Sequence, residues 1–304
     1  MSTNLDESEF CSIRSEQTGE HLIGSAPFTE TYLVIETPEP FGKVAFEESL
    51  IPVDVKIFLK EKLSGFPNAR LLLGHGPHQP FPGGPRFFLA RTTDPRPVLY
   101  EFKLRSYEDL LQIDFQAILS NAPANAINQR KEPIYLVCTN GKRDPCCAKF
   151  GLPIFNEIKT LHPDSVWQSS HMGGHRFGPL LLILPHGLVY GRLGTYDARE
   201  AVEAYSRGEV YLPRLRGRAT YPQAAQVAEF FIRQANDLLD LRALQLMDAH
   251  EIRPGQWSVI FINPETGRTT RVVVAIEKTE QKVFESCQSE KQTFLTKFSL
   301  VYDG

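Results

Sequence analysis

Residues 138–151 read CTNGKRDPCCAKFG, and residues 166–191 read VWQSSHMGGHRFGPLLLILPHGLVYG. The span from Cys138 to Gly191 holds three of the five cysteines and four of the eight histidines. Ile134 to Val137 is an apolar, β-prone run that ends at Cys138. Gly141 breaks the polar turn behind it. Pro145 suits the start of a helix, with Cys146 and Cys147 in its first turn. A helix N-terminus lowers a thiol's pKa and favours the thiolate, the form that binds metal. His171 and His175 flank Met-Gly-Gly. An i, i+4 pair shares a helix face, but the two glycines and the β-like flanks predict a loop that brings the imidazoles together.

Two cysteines followed by two histidines form a metal-ligand inventory. Singly, each has a plainer reading. Cys138 at a strand end packs as a small hydrophobe, a Cys-Cys pair can be one ligand and one bystander, and paired histidines can serve core hydrogen bonding. Jointly, with a Gly-containing turn beside each pair, they point to a metal or cluster site. Adjacent helical residues point about 100° apart, so either Cys146 or Cys147 can supply the second thiolate.

Three motifs carry a family resemblance: Cys138-Thr-Asn-Gly-Lys-Arg-Asp-Pro-Cys-Cys147, His171-Met-Gly-Gly-His175-Arg-Phe, and Leu184-Pro-His-Gly-Leu-Val-Tyr190-Gly. With them the chain resembles the sucrase/ferredoxin-like family, whose core looks like a thioredoxin-like 2Fe-2S ferredoxin. The resemblance spans residues 132–236. It implies a four-ligand frame in which Cys138 and Cys147 hold one iron of a 2Fe-2S cluster. His171 and His175 stand where a second cysteine pair would be and hold the other iron. The family's Arg-Asp-x-x-Cys spacing falls on Arg143, Asp144 and Cys147, which implies Cys147 as the second thiolate with Cys146 as the fallback. The implied function is ferredoxin-like electron transport, passing single electrons between a reductase and an acceptor, rather than catalysis. Sucrase activity is not expected, because no carboxylate pair stands out as the acid/base couple of glycoside hydrolysis.

Composition sets the class. The 304 residues are 42% hydrophobic and 23% charged with a formal charge of −3, ordinary for a globular protein and no invitation to nucleic acid or membrane. The apolar run Leu180 to Leu184 is too short to span a bilayer. The N-terminal MSTNLDESEF lacks the basic and apolar regions of a signal peptide. Five unevenly scattered cysteines do not form a disulfide framework, so the expected compartment is a reducing cytoplasm.

The expected architecture is α/β: a thioredoxin-like ferredoxin domain with a preceding thioredoxin-like layer and a C-terminal β-rich extension. Residues 1–125 form the first half. It opens with a polar surface lead-in holding Cys11. Strands follow at 32–36, 69–73, 86–91 and 98–103, with a helix at 52–64 and another opening at Ser106 with Asp109 in a capping box. His75 and His78 sit in a Pro/Gly-rich loop and read as solvated rather than as extra ligands. No Cys-x-x-Cys occurs here, so this half reads as a scaffold without dithiol chemistry.

Residues 126–245 repeat the element order: strand 134–137, helix 147–161, strands 165–169, 180–184 and 188–192, helix 197–207. A long amphipathic helix, 224–244, follows. Residues 246–304 turn to antiparallel strands at 257–262, 269–276, 282–285 and 294–302, with the NPETG turn at 263–267 and Cys287 incidental in a polar loop. Lys142, Arg143 and Asp144 would tune a cluster or line a solvated turn; His186 would stand beside the ligands or be exposed; Arg192 and Arg199 would face an acidic partner or form surface ion pairs. Two alternatives remain: a zinc-binding Cys2His2 protein, and a redox enzyme using Cys146-Cys147, which a strained vicinal disulfide disfavours.

Overall fold

The structure, a computed structural model, describes residues 7–76, 83–120 and 123–301. The chain opens with α1 (Cys11–Gln17) and runs through β1 (Thr31–Glu36), α2 (Ala45–Glu48), α3 (Val53–Ser64), β2 (Ala69–His75), β3 (Arg86–Arg91), β4 (Val98–Lys103) and α4 (Phe115–Leu119). After the short β5 (Gln129–Arg130) come β6 (Ile134–Cys138), α5 (Pro145–Leu161), β7 (Val166–Ser169), β8 (Leu181–Leu184), β9 (Leu188–Tyr190), α6 (Thr195–Ser206), β10 (Leu215–Arg218) and α7 (Gln223–Asn236). Four antiparallel strands close the chain: β11 (Gln245–Arg253), β12 (Gln256–Ile262), β13 (Thr269–Ser286) and β14 (Ser289–Val301).

Parallel strands need a long crossover, and each half supplies one. α3 links β1 to its parallel partner β2, and α5 links β6 to β7. β3 then pairs antiparallel with β1 and β4 with β3, as β8 pairs with β6 and β9 with β8. The orders β2-β1-β3-β4 and β7-β6-β8-β9 are therefore the same thioredoxin-like layer made twice. The halves meet edge to edge, where β2 pairs antiparallel with β7 through Gly74–Ser169 and His75–Gln168. One ten-stranded sheet results.

Strand alternation divides the core between the two faces. Tyr32 and Val34 of β1 join Ile134, Leu136 and Cys138 of β6 in one cluster that runs under both halves and reaches Met172 and Phe177. On the opposite face Leu33 and Ile35 pack against α3, and Tyr135 and Val137 against α5 and α6. The site therefore grows from the face that the two halves share. α7 lays Ala224, Val227 and Ala228 on Val259, Phe261 and Val274 of the C-terminal sheet. No helix among the described residues is long and apolar enough to cross a membrane.

Several local expectations are corrected. α7 stops at Asn236 because Asp237 turns left-handed (φ +49°). The segment beyond is held by Arg233, which donates to the carbonyls of Leu238 and Asp240, both at 2.8 Å. Asp109 makes no capping box; it pairs with Arg105 at 2.8 Å, and the segment is a 3-10 turn followed by α4. Residues 269–276 and 282–285, expected as separate strands, belong to the single long β13. The lead-in is not a surface segment at Cys11, which is helical and 1% exposed.

Candidate metal centre

Cys138 is the last residue of β6 and is fully buried. The turn behind it closes through Asn140, whose carbonyl accepts from the Asp144 N–H at 3.2 Å. Asp144 caps α5: its carboxylate accepts from the Cys146 N–H at 3.0 Å, and Pro145 follows in the first turn. The helix rotation then sends the two adjacent cysteines to different neighbours.

Cys147 returns toward Cys138. Both sulfurs approach Nδ1 of His171 at 3.9 Å. The three ligand atoms of Cys138, Cys147 and His171 lie within 4.8 Å of one another. Beside Cys147 and His171 the Cys138 thiol is pulled down to about 5, while Cys147, facing Cys138, is raised. A lowered thiol is the readier to bind metal as the thiolate.

The histidines come from the loop between β7 and β8. His175 opens a 3-10 turn, and its ring stacks on that of His171 with centroids 3.7 Å apart and 14° between planes. Gly173 and Gly174 make this possible with φ of +100° and +81°. A side chain at Gly174 would also strike Arg216, whose Nη2 lies 2.6 Å from an added Cβ. Two arginines clamp the loop: Arg70 donates to the Met172 carbonyl at 2.6 Å, and Arg216 to the Gly173 carbonyl at 3.2 Å.

His175 stands beside the compact trio. Its Nδ1 is buried without a hydrogen-bond partner and faces Asp144 Oδ2 at 3.9 Å. Burial, with His171 and Arg143 nearby, pushes the imidazole down to about 3, so it is neutral and able to ligate. The chemistry of the set is two soft thiols at the buried end and two imidazoles at the half-buried end.

Cys146 turns the other way. Its sulfur lies 3.6 Å from that of Cys11 and 3.1 Å from that of Cys287, at the tip between β13 and β14. Cys287 is therefore not incidental. The sequence held no signal for this meeting beyond the bare presence of the two residues. His75 is half-buried rather than solvated: Nδ1 bonds the Thr37 carbonyl at 2.7 Å and the ring stacks on Phe41. His78 lies outside the described residues. His186 bonds Tyr205 Oη at 2.6 Å and is half-buried, so it is not exposed. Arg192 turns inward to the Glu20 carbonyl and Ser15, while Arg199 pairs with Glu157.

Fold and site together define a doubled thioredoxin-like α/β protein with a largely buried cysteine–histidine group where β6 gives way to α5. The chain belongs to the sucrase/ferredoxin-like family, which it matches over residues 22–217. Among solved structures it is similar to two cysteine-to-serine variants of the thioredoxin-like 2Fe-2S ferredoxin from Aquifex aeolicus. Identities are 20% and 21%, with TM-scores of 0.25 and 0.24. Each comparison covers 28% of this chain, and 97% and 96% of the ferredoxin. No curated protein matches the chain.

Proposed function

We propose that Cys138, Cys147, His171 and His175 hold a 2Fe-2S cluster and that the protein passes single electrons between a reductase and an acceptor protein. The observation that supports this most is the convergence of Cys138, Cys147 and His171 within 4.8 Å, with the ring of His175 stacked on that of His171. A bound cluster supplies reversible one-electron storage.

The chain's own residues do the rest. Cys138 and Cys147 sit at the buried end, where water is excluded. The half-buried histidines form the edge nearer solvent, through which a redox partner would make contact. Arg216, buried and unpaired with any carboxylate among the described residues, holds the histidine loop by the Gly173 carbonyl and places positive charge behind it. Positive charge and imidazole ligands favour the reduced, more negative state and so raise the potential.

A single zinc ion on Cys138, Cys147 and His171 is the second reading, favoured by the compactness of that trio. Anaerobic purification with iron, sulfide and zinc analysis separates the two. About two irons and two sulfides per chain with visible colour are expected; a colourless protein with zinc bound by Cys138 and Cys147 would overturn the cluster.

A further inference from the structure

Three cysteines outside the proposed cluster meet at one point. Cys11 opens α1, Cys146 lies in the first turn of α5, and Cys287 is the tip of the β13–β14 hairpin. They are separated by 135 and 141 residues. Their sulfurs and a carboxylate oxygen of Asp144 all lie within 4.8 Å of one another. We propose that Cys11, Cys146 and Cys287 bind a thiophilic divalent cation, zinc by its chemistry, at a site separate from the cluster. The proposal does not depend on the cluster reading.

The spacing fits. Zinc–thiolate bonds of about 2.3 Å in a tetrahedron place sulfurs about 3.7–3.8 Å apart. Cys11 and Cys146 are 3.6 Å apart, and Cys146 and Cys287 are 3.1 Å apart, well beyond the roughly 2.05 Å of a disulfide bond. Donors already point at the sulfurs as they do around metal thiolates. Ser12 Oγ donates to Cys146 Sγ at 3.3 Å, and the Cys11 N–H to Cys287 Sγ at 3.2 Å.

A buried carboxylate stands beside the three sulfurs. Asp144 is fully buried. Its Oδ2 accepts from Ser286 Oγ at 2.8 Å and from the Cys287 N–H at 3.0 Å, and its Oδ1 from the Cys146 N–H. No lysine or arginine among the described residues is bonded to it. Buried charges are paired or coordinate metals. With both lone pairs of Oδ2 engaged, the carboxylate positions the thiols and supplies negative charge rather than a metal bond. The fourth position opens to a cleft of about 380 Å³ lined by Cys11, Cys287, Arg14, Phe284 and Gln288, through which water completes the tetrahedron. Loading releases the thiol protons to solvent as the thiolates form.

Such a site clips α1 and the C-terminal hairpin onto the first turn of the helix that carries Cys147. It is a structural tie made by residues from both ends of the chain.

The test uses the full-length protein purified anaerobically with its iron. Zinc of about one per chain is expected, lost in Cys11→Ser and in Cys287→Ser while iron and sulfide stay at wild-type level. If a variant fails to fold, wild-type protein answers: alkylation with mass mapping should modify Cys11, Cys146 and Cys287 only after a zinc chelator is added. Three results would overturn the proposal. One is zinc retained in both variants. Another is wild-type protein that neither contains zinc nor takes it up. The last is a non-reduced mass two hydrogens light, showing a disulfide among these cysteines. Iron missing while zinc follows Cys287 would sink the cluster and leave this site standing.

Discussion

Cys146 and Cys147 are neighbours in sequence, yet the sulfur of Cys146 lies 3.1 Å from Cys287 while that of Cys147 lies 3.9 Å from His171 Nδ1. The helix turn of about 100° per residue separates them. They are therefore not a dithiol couple, and their substitutions should differ. Cys138→Ser and Cys147→Ser should each abolish iron and sulfide retention, because a serine hydroxyl replaces a thiolate poorly. Cys146→Ser should keep both. Iron lost only from Cys146→Ser would reassign the ligand.

The stacked pair His171 and His175 leads to a second expectation, for the potential. Replacing a neutral imidazole by a thiolate adds a negative charge at the cluster and stabilises the oxidised form. A redox titration of His175→Cys at neutral pH should give a midpoint below that of wild type. An unchanged midpoint in a cluster-loaded variant would remove His175 from the ligand set.

Gly174 is held left-handed against Arg216. Gly174→Ala should cost about 1–3 kcal/mol from backbone strain alone, with further loss from the displaced guanidinium. Urea unfolding should show a lower midpoint at unchanged slope, and iron occupancy should drop. A variant as stable as wild type would mean that the loop relaxes freely.

Glu229 is buried between Arg218 at 3.2 Å and Arg233 at 3.0 Å, where α7 meets the second half. Removing one partner of a buried network leaves charge uncompensated, at a cost of about 3–5 kcal/mol. Glu229→Gln should therefore unfold at markedly lower urea than wild type, and a shift within about 0.5 kcal/mol, the range of ordinary surface changes, would count against this role.

His186 is pushed down to about 3, first by burial and then by Arg218 and Arg242. Its folded pKa lies below the unfolded value, so the unfolded chain takes up a proton first as pH falls below about 6.5. Stability is lost from there down toward pH 3, with a slope from this residue of at most about 1.4 kcal/mol per pH unit. In His186→Gln that share should vanish, so the stability advantage of wild type should shrink as pH falls from 7 to 5 in urea titrations. A constant difference between the two would show that His186 titrates alike in both states.

Much of the architecture was legible in the chain. Ile134 to Val137 read as a strand and Pro145 as a helix start because apolar period and proline's missing N–H act within a few residues. The doubled strand–helix–strand order was visible for the same reason. Local signals also misled: Asp109 looked like a cap but met a closer cation in Arg105, and the apolar spacing past Asn236 did not show that Asp237 turns left-handed.

What the sequence by itself determined is the set of cysteine and histidine donors and its local spacing, since Cys138 to Cys147 and His171 to His175 are each joined by one turn or loop. What only the tertiary structure decided is which of these residues share a space. The pairing of β2 with β7 builds one sheet from two halves, and the length of β13 carries Cys287 back to Cys146. Contacts across 141 residues leave no periodic trace in a single chain, because they depend on where whole elements pack rather than on what neighbours prefer.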